Sequence, residues 1–296
     1  MKRTFFTFIA LFMIFTLLSP IRVSAKGIDS SNSEHALKST TTYQNEYQGI
    51  NEKIKELKSE PATLNMDKFK QSQEELTYYE NLKTEYHKHI YQLKSLSSEE
   101  LIKLHYSAAQ IEAIQNYDGS ELMTVAASAI FVGTLSLTFY YYSAADYKTY
   151  ARSTFSGHWE GKPDHKFVDM AAIAMYGSSA SFSKVSASGT ATYWTSTADV
   201  FDVTLSGTYQ AMRGMKYNVP FNSYSTVYGE VGTFYSVYCQ YYAVATGNVN
   251  VMEYGGAYGH TSINITPTIN ISISPLSFTP GIYTVIIFDD TLGATI

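Results

Sequence analysis

Two kinds of hydrophobic periodicity divide the chain near residue 120. Before that point, apolar residues recur every three or four positions, first at Tyr43, Tyr47, Ile50, Ile54 and Leu57 and then less regularly from Phe69 to Leu93. This spacing is typical of amphipathic helices, and Pro61 interrupts it. The region 43–119 is therefore predicted to begin with an antiparallel helical hairpin or a short coiled-coil pair.

Two helix start signals follow the hairpin. Ser97 is followed three residues later by Glu100, and Ser107 is followed three residues later by Gln110. Each pair matches a capping box, in which the two residues satisfy each other's free backbone N–H groups. Two small helices are predicted, over residues 98–105 and 108–116.

From Thr124 onward the period changes to two, which predicts half-buried antiparallel strands. Apolar residues alternate with Ser, Thr or Asn near residues 125–139, 185–193, 203–209 and 263–273. Further strand-like segments raise the expected number to about eight or nine. Strands and helices do not alternate along the chain, which argues against a parallel sheet. We predict an α+β protein whose residues 120–296 form a mainly antiparallel β-sandwich or a long curled sheet.

The first 25 residues have the pattern of a cleavable secretory signal. Lys2 and Arg3 precede an apolar segment, residues 5–18, and small residues lead up to a cleavage site near Ala25. The apolar segment is shorter than the roughly 20 residues of a membrane-spanning helix, which disfavours an uncleaved anchor. We expect a secreted or cell-surface protein, with a polar, mobile lead over residues 26–42.

Charge and cysteine content narrow the function further. Without the three basic residues of the signal segment, the chain carries a net charge of about −8, which excludes nucleic acid as a partner. The single cysteine, Cys239, cannot form an internal disulfide and is expected to be a small buried residue. No sequence pattern for a metal or cofactor site is present, so none is predicted.

One segment resembles a group of known sequences. Residues 101–119, together with Trp159 to Pro163 and Asp169, resemble uncharacterised secreted proteins of Gram-positive bacteria over about half the chain. Those proteins often have Gly before the tyrosine of this segment, where the present chain has His105. The resemblance implies export and a helical part followed by a sheet, and it implies no functional residues.

The densest polar cluster of the strand region is expected to be a loop, residues 158–169, because Gly and Pro interrupt it. His158, Asp164 and Asp169 are the candidate catalytic residues there, as an acid and base of a hydrolase. The alternative is a turn in which Trp159 docks on the sheet. His260 falls in a second segment, Gly255 to His260, which we interpret as a Gly-rich turn.

Tyrosine is the one residue type in excess, with 18 of the 26 tyrosines after residue 120. Exposed tyrosines offer a flat apolar ring and a hydroxyl, which suits stacking on sugars or protein surfaces. Trp159, Tyr238 and Tyr242 are the candidate ligand-binding residues. The first hypothesis is a non-enzymatic protein that binds a glycan or a protein. The alternatives are a membrane-acting β pore former, which alone would contact lipid, and a secreted hydrolase.

Overall fold

The computed structural model describes residues 39–59, 66–164, 168–261, 268–273, 276–280 and 284–295. The predicted signal segment therefore lies outside the described residues, as does most of the lead. No helix within the described ranges is long and apolar enough to cross a membrane.

Five helices precede the main sheets. Their bounds are α1 Glu46–Ser59, α2 Met66–Lys94, α3 Ser98–Lys103, α4 Ala108–Gln115 and α5 Glu121–Ala127. The described ranges also contain fourteen strands: β1 Ser39–Asn45, β2 Ile130–Ser143, β3 Lys148–Glu160, β4 Val168–Gly177, β5 Ser183–Trp194, β6 Val200–Thr204, β7 Gly207–Gln210, β8 Gly214–Pro220, β9 Asn222–Ser225, β10 Glu230–Thr246, β11 Val251–Thr261, β12 Ile269–Ile273, β13 Leu276–Pro280 and β14 Thr284–Thr295. The α+β class is confirmed.

The helical hairpin forms as its apolar stripe predicts. Tyr47 near the start of α1 packs against Tyr86 near the end of α2, whereas Lys53 meets Glu75 further along, so the two helices run antiparallel. Both predicted capping boxes are present, at Ser97 and at Ser107. The helical stripe of α1 is buried through Leu57.

The strands form two large antiparallel sheets that pack as a sandwich. The larger has the order β1-β2-β3-β10-β5-β6, with β9 pairing to the start of β10. The second has the order β14-β11-β4-β8-β7. Inward residues of both sheets share one core, in which Phe131 of β2 stacks on Tyr258 of β11 at 4.2 Å between ring centroids.

Two glycines allow the sheets to approach closely. A Cβ at Gly256 would lie 3.2 Å from Phe155, and one at Gly189 would lie 2.6 Å from Tyr217. Aromatic rings of the facing sheet occupy the space that these side chains would need. The glycines therefore belong to strands, where they make room for large rings in the core.

A small hairpin covers the other face of the second sheet. Strands β12 and β13 pair with each other, and Ile269, Ile271, Leu276 and Phe278 pack on Ala172 and its neighbours. The alternation predicted over 263–273 is seen as β12 from residue 269 onward. Residues 262–267 lie outside the described ranges.

The helical layer sits over one end of the sandwich, where β2 begins and β3 ends. The side-chain amide of Gln110 in α4 donates hydrogen bonds to the carbonyls of Ser128 and Glu160. The Tyr106 hydroxyl donates to the carbonyl of Lys162, and the Gly161 N–H donates to the carbonyl of His105. These bonds satisfy backbone groups at the strand ends.

Two predicted boundaries were wrong. The end of the lead, 26–42, and the helical position Tyr43 belong to strand β1, because its β-branched threonines pair with β2 from Gly133 to Leu135. The alternation from Thr124 was also misleading. Residues 121–127 form α5, whose cap is the Ser120 hydroxyl, and the sheet starts only at Ile130.

Candidate functional site

Both ends of the expected loop 158–169 belong to strands, because β3 runs through Glu160 and β4 begins at Val168. Trp159 is the second-last residue of β3 and His158 is the third-last, whereas Asp169 lies in β4. Only 161–164 are described between these strands. Residues 158–160 continue the alternation of β3, so neighbouring side chains there point to opposite faces of the sheet.

This alternation separates the candidate catalytic residues. Trp159 points inward and is buried against Phe131, Tyr258 and His260, so it cannot stack on a ligand. His158 points outward and packs near Tyr235, on the other side of the sheet from buried Asp169. The structure therefore does not bring His158 and Asp169 together as an acid and base.

Asp169 instead joins a buried ionic cluster, which consists of Glu46, Asp169 and His260. His260 Nδ1 lies 2.8 Å from Asp169 Oδ1, and His260 Nε2 lies 3.3 Å from Glu46 Oε1. All three side chains are at most 3% exposed. The Tyr86 hydroxyl donates to Glu46 at 2.7 Å, and the Tyr258 hydroxyl donates to Asp169 at 2.5 Å.

The cluster connects distant parts of the chain. Glu46 is the first residue of α1, Asp169 lies in β4 and His260 lies in β11. The segment of His260 that we interpreted as a Gly-rich turn is thus a strand. Glu46 also accepts hydrogen bonds from the Asp164 backbone N–H. The ionic cluster therefore ties the helical layer to the second sheet.

The electrostatics of the ionic cluster favour a charged imidazole. Burial opposes the charge, but the carboxylates of Asp169 and Glu46 outweigh it and raise the pKa of His260 to about 10. Burial and the neighbouring carboxylate raise the pKa values of Tyr86 and Tyr258 well above the usual range. Since both ring nitrogens of His260 face carboxylates, the ring cannot take a proton from a substrate. Its geometry fits a structural role.

Two histidines of α2, His87 and His89, have polar partners. His87 Nδ1 lies 2.6 Å from the Tyr117 hydroxyl, and His87 Nε2 lies 3.1 Å from the Tyr47 hydroxyl. His89 pairs with Asp164 at 3.2 Å. Asp164, a candidate catalytic residue, thus contacts the helical layer. Among the described residues, no group of three or more His, Cys, Asp or Glu is arranged to hold a metal ion.

The surface with binding chemistry is the outward side of the larger sheet, which we call the outer face. Its residues are the outward positions of β2, β3, β10 and β5 between Lys148 and Glu160, the outward end residues of β3: Val132, Thr134, Ser136, Phe139 and Tyr141; Tyr150, Arg152, Thr154, Ser156 and His158; Ser236, Tyr238, Gln240, Tyr242 and Val244; Ser186, Ser188, Thr190 and Thr192. The intervening residues are buried, as at Leu135, Phe155 and Cys239. From Tyr150 to His158 the outer face is about 27 Å long, at about 3.4 Å per residue.

A tyrosine cluster, made of Phe139, Tyr141, Tyr150 and Tyr242, occupies one end of the outer face. Tyr141 stacks on Tyr150 with ring centroids 5.3 Å apart, and Phe139 meets Tyr242 edge to face at 5.5 Å. The Arg152 guanidinium lies over the rings of Phe139 and Tyr242. Both rings flank Arg152 in the same row of the sheet.

A histidine cluster, made of His105, His158, Trp194 and Tyr235, lies at the other end. The ring centroids of His105 and Trp194 are 3.6 Å apart, and those of Trp194 and Tyr235 are 4.7 Å apart. His105 has φ 64°, in the left-handed region that follows a helix end and favours Gly. A glycine at this position would adopt the same conformation without strain.

Between the clusters lies Tyr238, the most exposed ring of the outer face at 44%. Its row contains only hydroxyl side chains, namely Thr134, Ser156 and Thr190. The candidate ligand-binding residues Tyr238 and Tyr242 therefore share one face, and Trp159 does not. Sequence reasoning missed Arg152 and Trp194, although the parity of their strands places both outward.

Comparisons with known proteins add little. No protein-family model and no curated protein matches the chain in sequence. Among solved structures, a pore-forming protein is similar at 8% identity and a TM-score of 0.22, over 56% of this chain and 84% of that one. Delta-toxin of Clostridium perfringens is similar at 7% identity and a TM-score of 0.21, over 56% and 83%. A chain titled BspA_C_mut is similar at 6% identity and a TM-score of 0.26, over 55% of this chain and 54% of that one. Similarities this weak carry no functional information.

Proposed function

We propose that this is a secreted or cell-surface binding protein, without catalytic activity, that recognises a glycan through its outer face. The observation that carries the proposal is the combination of spaced aromatic rings and hydroxyl rows on one exposed antiparallel sheet. A ring such as Tyr238 stacks on the apolar face of a sugar, while neighbouring hydroxyls form hydrogen bonds with its polar edge.

The layout of the outer face favours a glycan over a protein partner. Protein interfaces have a largely apolar, desolvated centre, whereas the row through Tyr238 is hydroxylated on both sides. The outer face is also long, with aromatic rings at both ends. An extended sugar chain laid along the strands would meet a ring at each end and Tyr238 between them.

The rigidity of the sheet supports the same function. Each outer-face strand pairs on both sides, and the inward residues beneath Tyr238 are packed in the core. A pre-organised surface loses little conformational entropy on binding, which improves affinity. No hinge or lid is needed for this role.

The test is glycan binding by the full chain, measured by calorimetry against a panel of polysaccharides. Tyr238→Ala is expected to weaken binding at least tenfold, because a central stacking ring is lost. Tyr224→Ala is the matched control, since Tyr224 is 61% exposed in β9, outside the outer face, and should bind normally. Binding that survives Tyr238→Ala, or binding of a protein but no glycan, would contradict the proposal.

A membrane-acting role is the second candidate, and the β2 and β3 pair favours it. The two strands are paired from Ile130 with Glu160 to Ser143 with Lys148, and in their middle Thr134, Ser136, Thr154 and Ser156 place hydroxyl groups on one face while Leu135, Leu137 and Phe155 are buried on the other. Tyr147, 63% exposed, stands at the turn between them, and tyrosines favour the membrane–water interface. Release of dye from liposomes, reduced by Tyr147→Ala, would support this role against glycan binding.

A further inference from the structure

Arg152 stands out among the residues of the outer face. Along the outward side of β3 it is the only Lys, Arg, Asp or Glu between Lys148 and Glu160, which lie at the two ends of that strand. Its guanidinium carbon lies 4.8 Å from the Phe139 ring centroid and 5.2 Å from that of Tyr242. The two rings hold the guanidinium in place by cation–π contact, which limits the freedom of a long side chain.

The charge of Arg152 has no carboxylate partner within the described parts of the chain. None of the ion pairs there includes Arg152, and Asp146, the carboxylate nearest in sequence, accepts a hydrogen bond from the Tyr150 hydroxyl. The Arg152 Nε atom is buried and makes no hydrogen bond there. A ligand that approaches from solvent therefore has to bind the two terminal nitrogens of the guanidinium.

We propose that Arg152 is an anion-binding residue and that the glycan is acidic, with the carboxylate of a uronic acid as the group bound. The inference rests on the glycan-binding function proposed above. The planar guanidinium binds a planar carboxylate through two parallel hydrogen bonds, a geometry that lysine lacks. Thr154 and Gln240, in the next row, supply a hydroxyl and an amide for the adjoining sugar hydroxyls.

The overall charge makes this contact specific. The chain has a formal net charge of −5, so it repels a polyanion at long range. Attraction to an acidic glycan must therefore come from a short-range contact with a local positive charge. Arg152, between two rings, supplies that contact at the end of the sheet away from the strand carboxylates on this side, which are Glu160 at the far end of β3 and Asp202, held by the Thr192 hydroxyl.

The experiment compares acidic polysaccharides with their neutral counterparts. Calorimetry on the full chain uses polygalacturonate, alginate and hyaluronan, each paired with its carboxyl-reduced form. We expect at least one acidic polymer to bind tenfold more tightly than its reduced form. Arg152→Gln should abolish that difference, because it should weaken binding of the acidic form at least tenfold more than binding of the reduced form. Arg152→Lys keeps the charge but not the two parallel N–H donors, so its preference for the acidic polymer should lie between those of the wild type and Arg152→Gln.

Arg213→Gln is the matched control, because it removes the same charge from the second sheet, where Arg213 donates to the Ile271 carbonyl. It should bind like the wild type. Thermal melting verifies that each variant is folded. If no pair of polymers is discriminated, if Arg152→Gln weakens both forms equally, or if only sulfated glycans bind, the inference is overturned. Tyr238→Ala distinguishes a failure of this inference from a failure of the glycan-binding function. It should weaken binding of both the acidic and the reduced polysaccharide whenever the outer face binds glycans.

Discussion

The ionic cluster and the outer face use similar residues in opposite ways. In the ionic cluster, Glu46, Asp169 and His260 are buried, and each charge faces an opposite charge and a hydrogen bond. On the outer face, Arg152 lies between aromatic rings with no carboxylate beside it. Burial forces complete internal pairing, because an isolated buried charge is very costly, whereas a surface group can leave its pairing to a ligand.

This contrast separates structure from function within one protein. The ionic cluster resembles a catalytic site in composition, yet its histidine is fully occupied by two carboxylates. The outer face lacks a catalytic appearance, yet its groups are oriented and accessible. Removing a group from the ionic cluster should therefore affect folding, and removing one from the outer face should affect binding.

The largest expected effect is on the ionic cluster. Glu46→Gln leaves His260 and Asp169 without their third partner and should lower the free energy of unfolding by about 3 kcal/mol or more, as for other broken buried pairs. Glu74→Gln is the matched control, since Glu74 is 63% exposed and its pairing with Lys70 is weak, so it should cost under about 0.5 kcal/mol. Urea unfolding measures the free energy of unfolding of both variants. Equal losses would contradict the distinction between the buried ionic cluster and an exposed ion pair.

The next effect is the pH dependence of stability. The pKa of His260 is raised in the folded state, so its contribution is fully present below about pH 6.5 and is lost as pH rises through about 10. We expect the free energy of unfolding to fall between pH 7 and pH 9.5 by on the order of a few kcal/mol.

The reference for that experiment is a triple variant with amides in the ionic cluster, Glu46→Gln, Asp169→Asn and His260→Gln. It has no charge there, so its stability should change less over the same pH range. Parallel curves for the triple variant and the wild type would show that the pH dependence arises elsewhere.

The smallest effect concerns His105 in the histidine cluster. Its left-handed backbone suits Gly, so His105→Gly should be about 1 kcal/mol more stable than His105→Ala, which keeps the strain without the ring. Thermal unfolding compares the two variants. Because both lose the contact with Trp194, both should alter glycan binding equally, which separates the backbone effect from the ring effect.

Much of the fold was predictable because it depends on local pattern. The stripe that includes Tyr47, Ile50 and Ile54 predicted α1, and the capping boxes at Ser97 and Ser107 predicted two helix starts that are present. The alternation near residues 185–193 predicted a strand with one buried side, and β5 has that burial pattern from Gly189 onward. These signals are reliable because buried positions recur at a fixed spacing of a few residues along a helix or a strand.

The errors occurred where local pattern and tertiary contact disagree. Gly255 and Gly256 read as a turn, but they lie in β11 because rings of neighbouring layers fill the space beside them. Residues 121–127 alternate like a strand, but the Ser120 cap and packing among the helices make them α5. In the first case the deciding atoms are distant in sequence, whereas in the second a local cap joins the contacts with other helices.

The sequence alone determined that a helical region precedes most of the strands, the parity that sends Tyr238 and Arg152 to the same side, and the acidic charge. Only the tertiary structure decided that Asp169 meets His260 and Glu46, and that His158 is turned away from them. Parity is a property of neighbouring residues, which sterics and burial fix within a few positions. The meeting of side chains more than ninety residues apart depends on how the sheets pair and pack, and no local pattern encodes it.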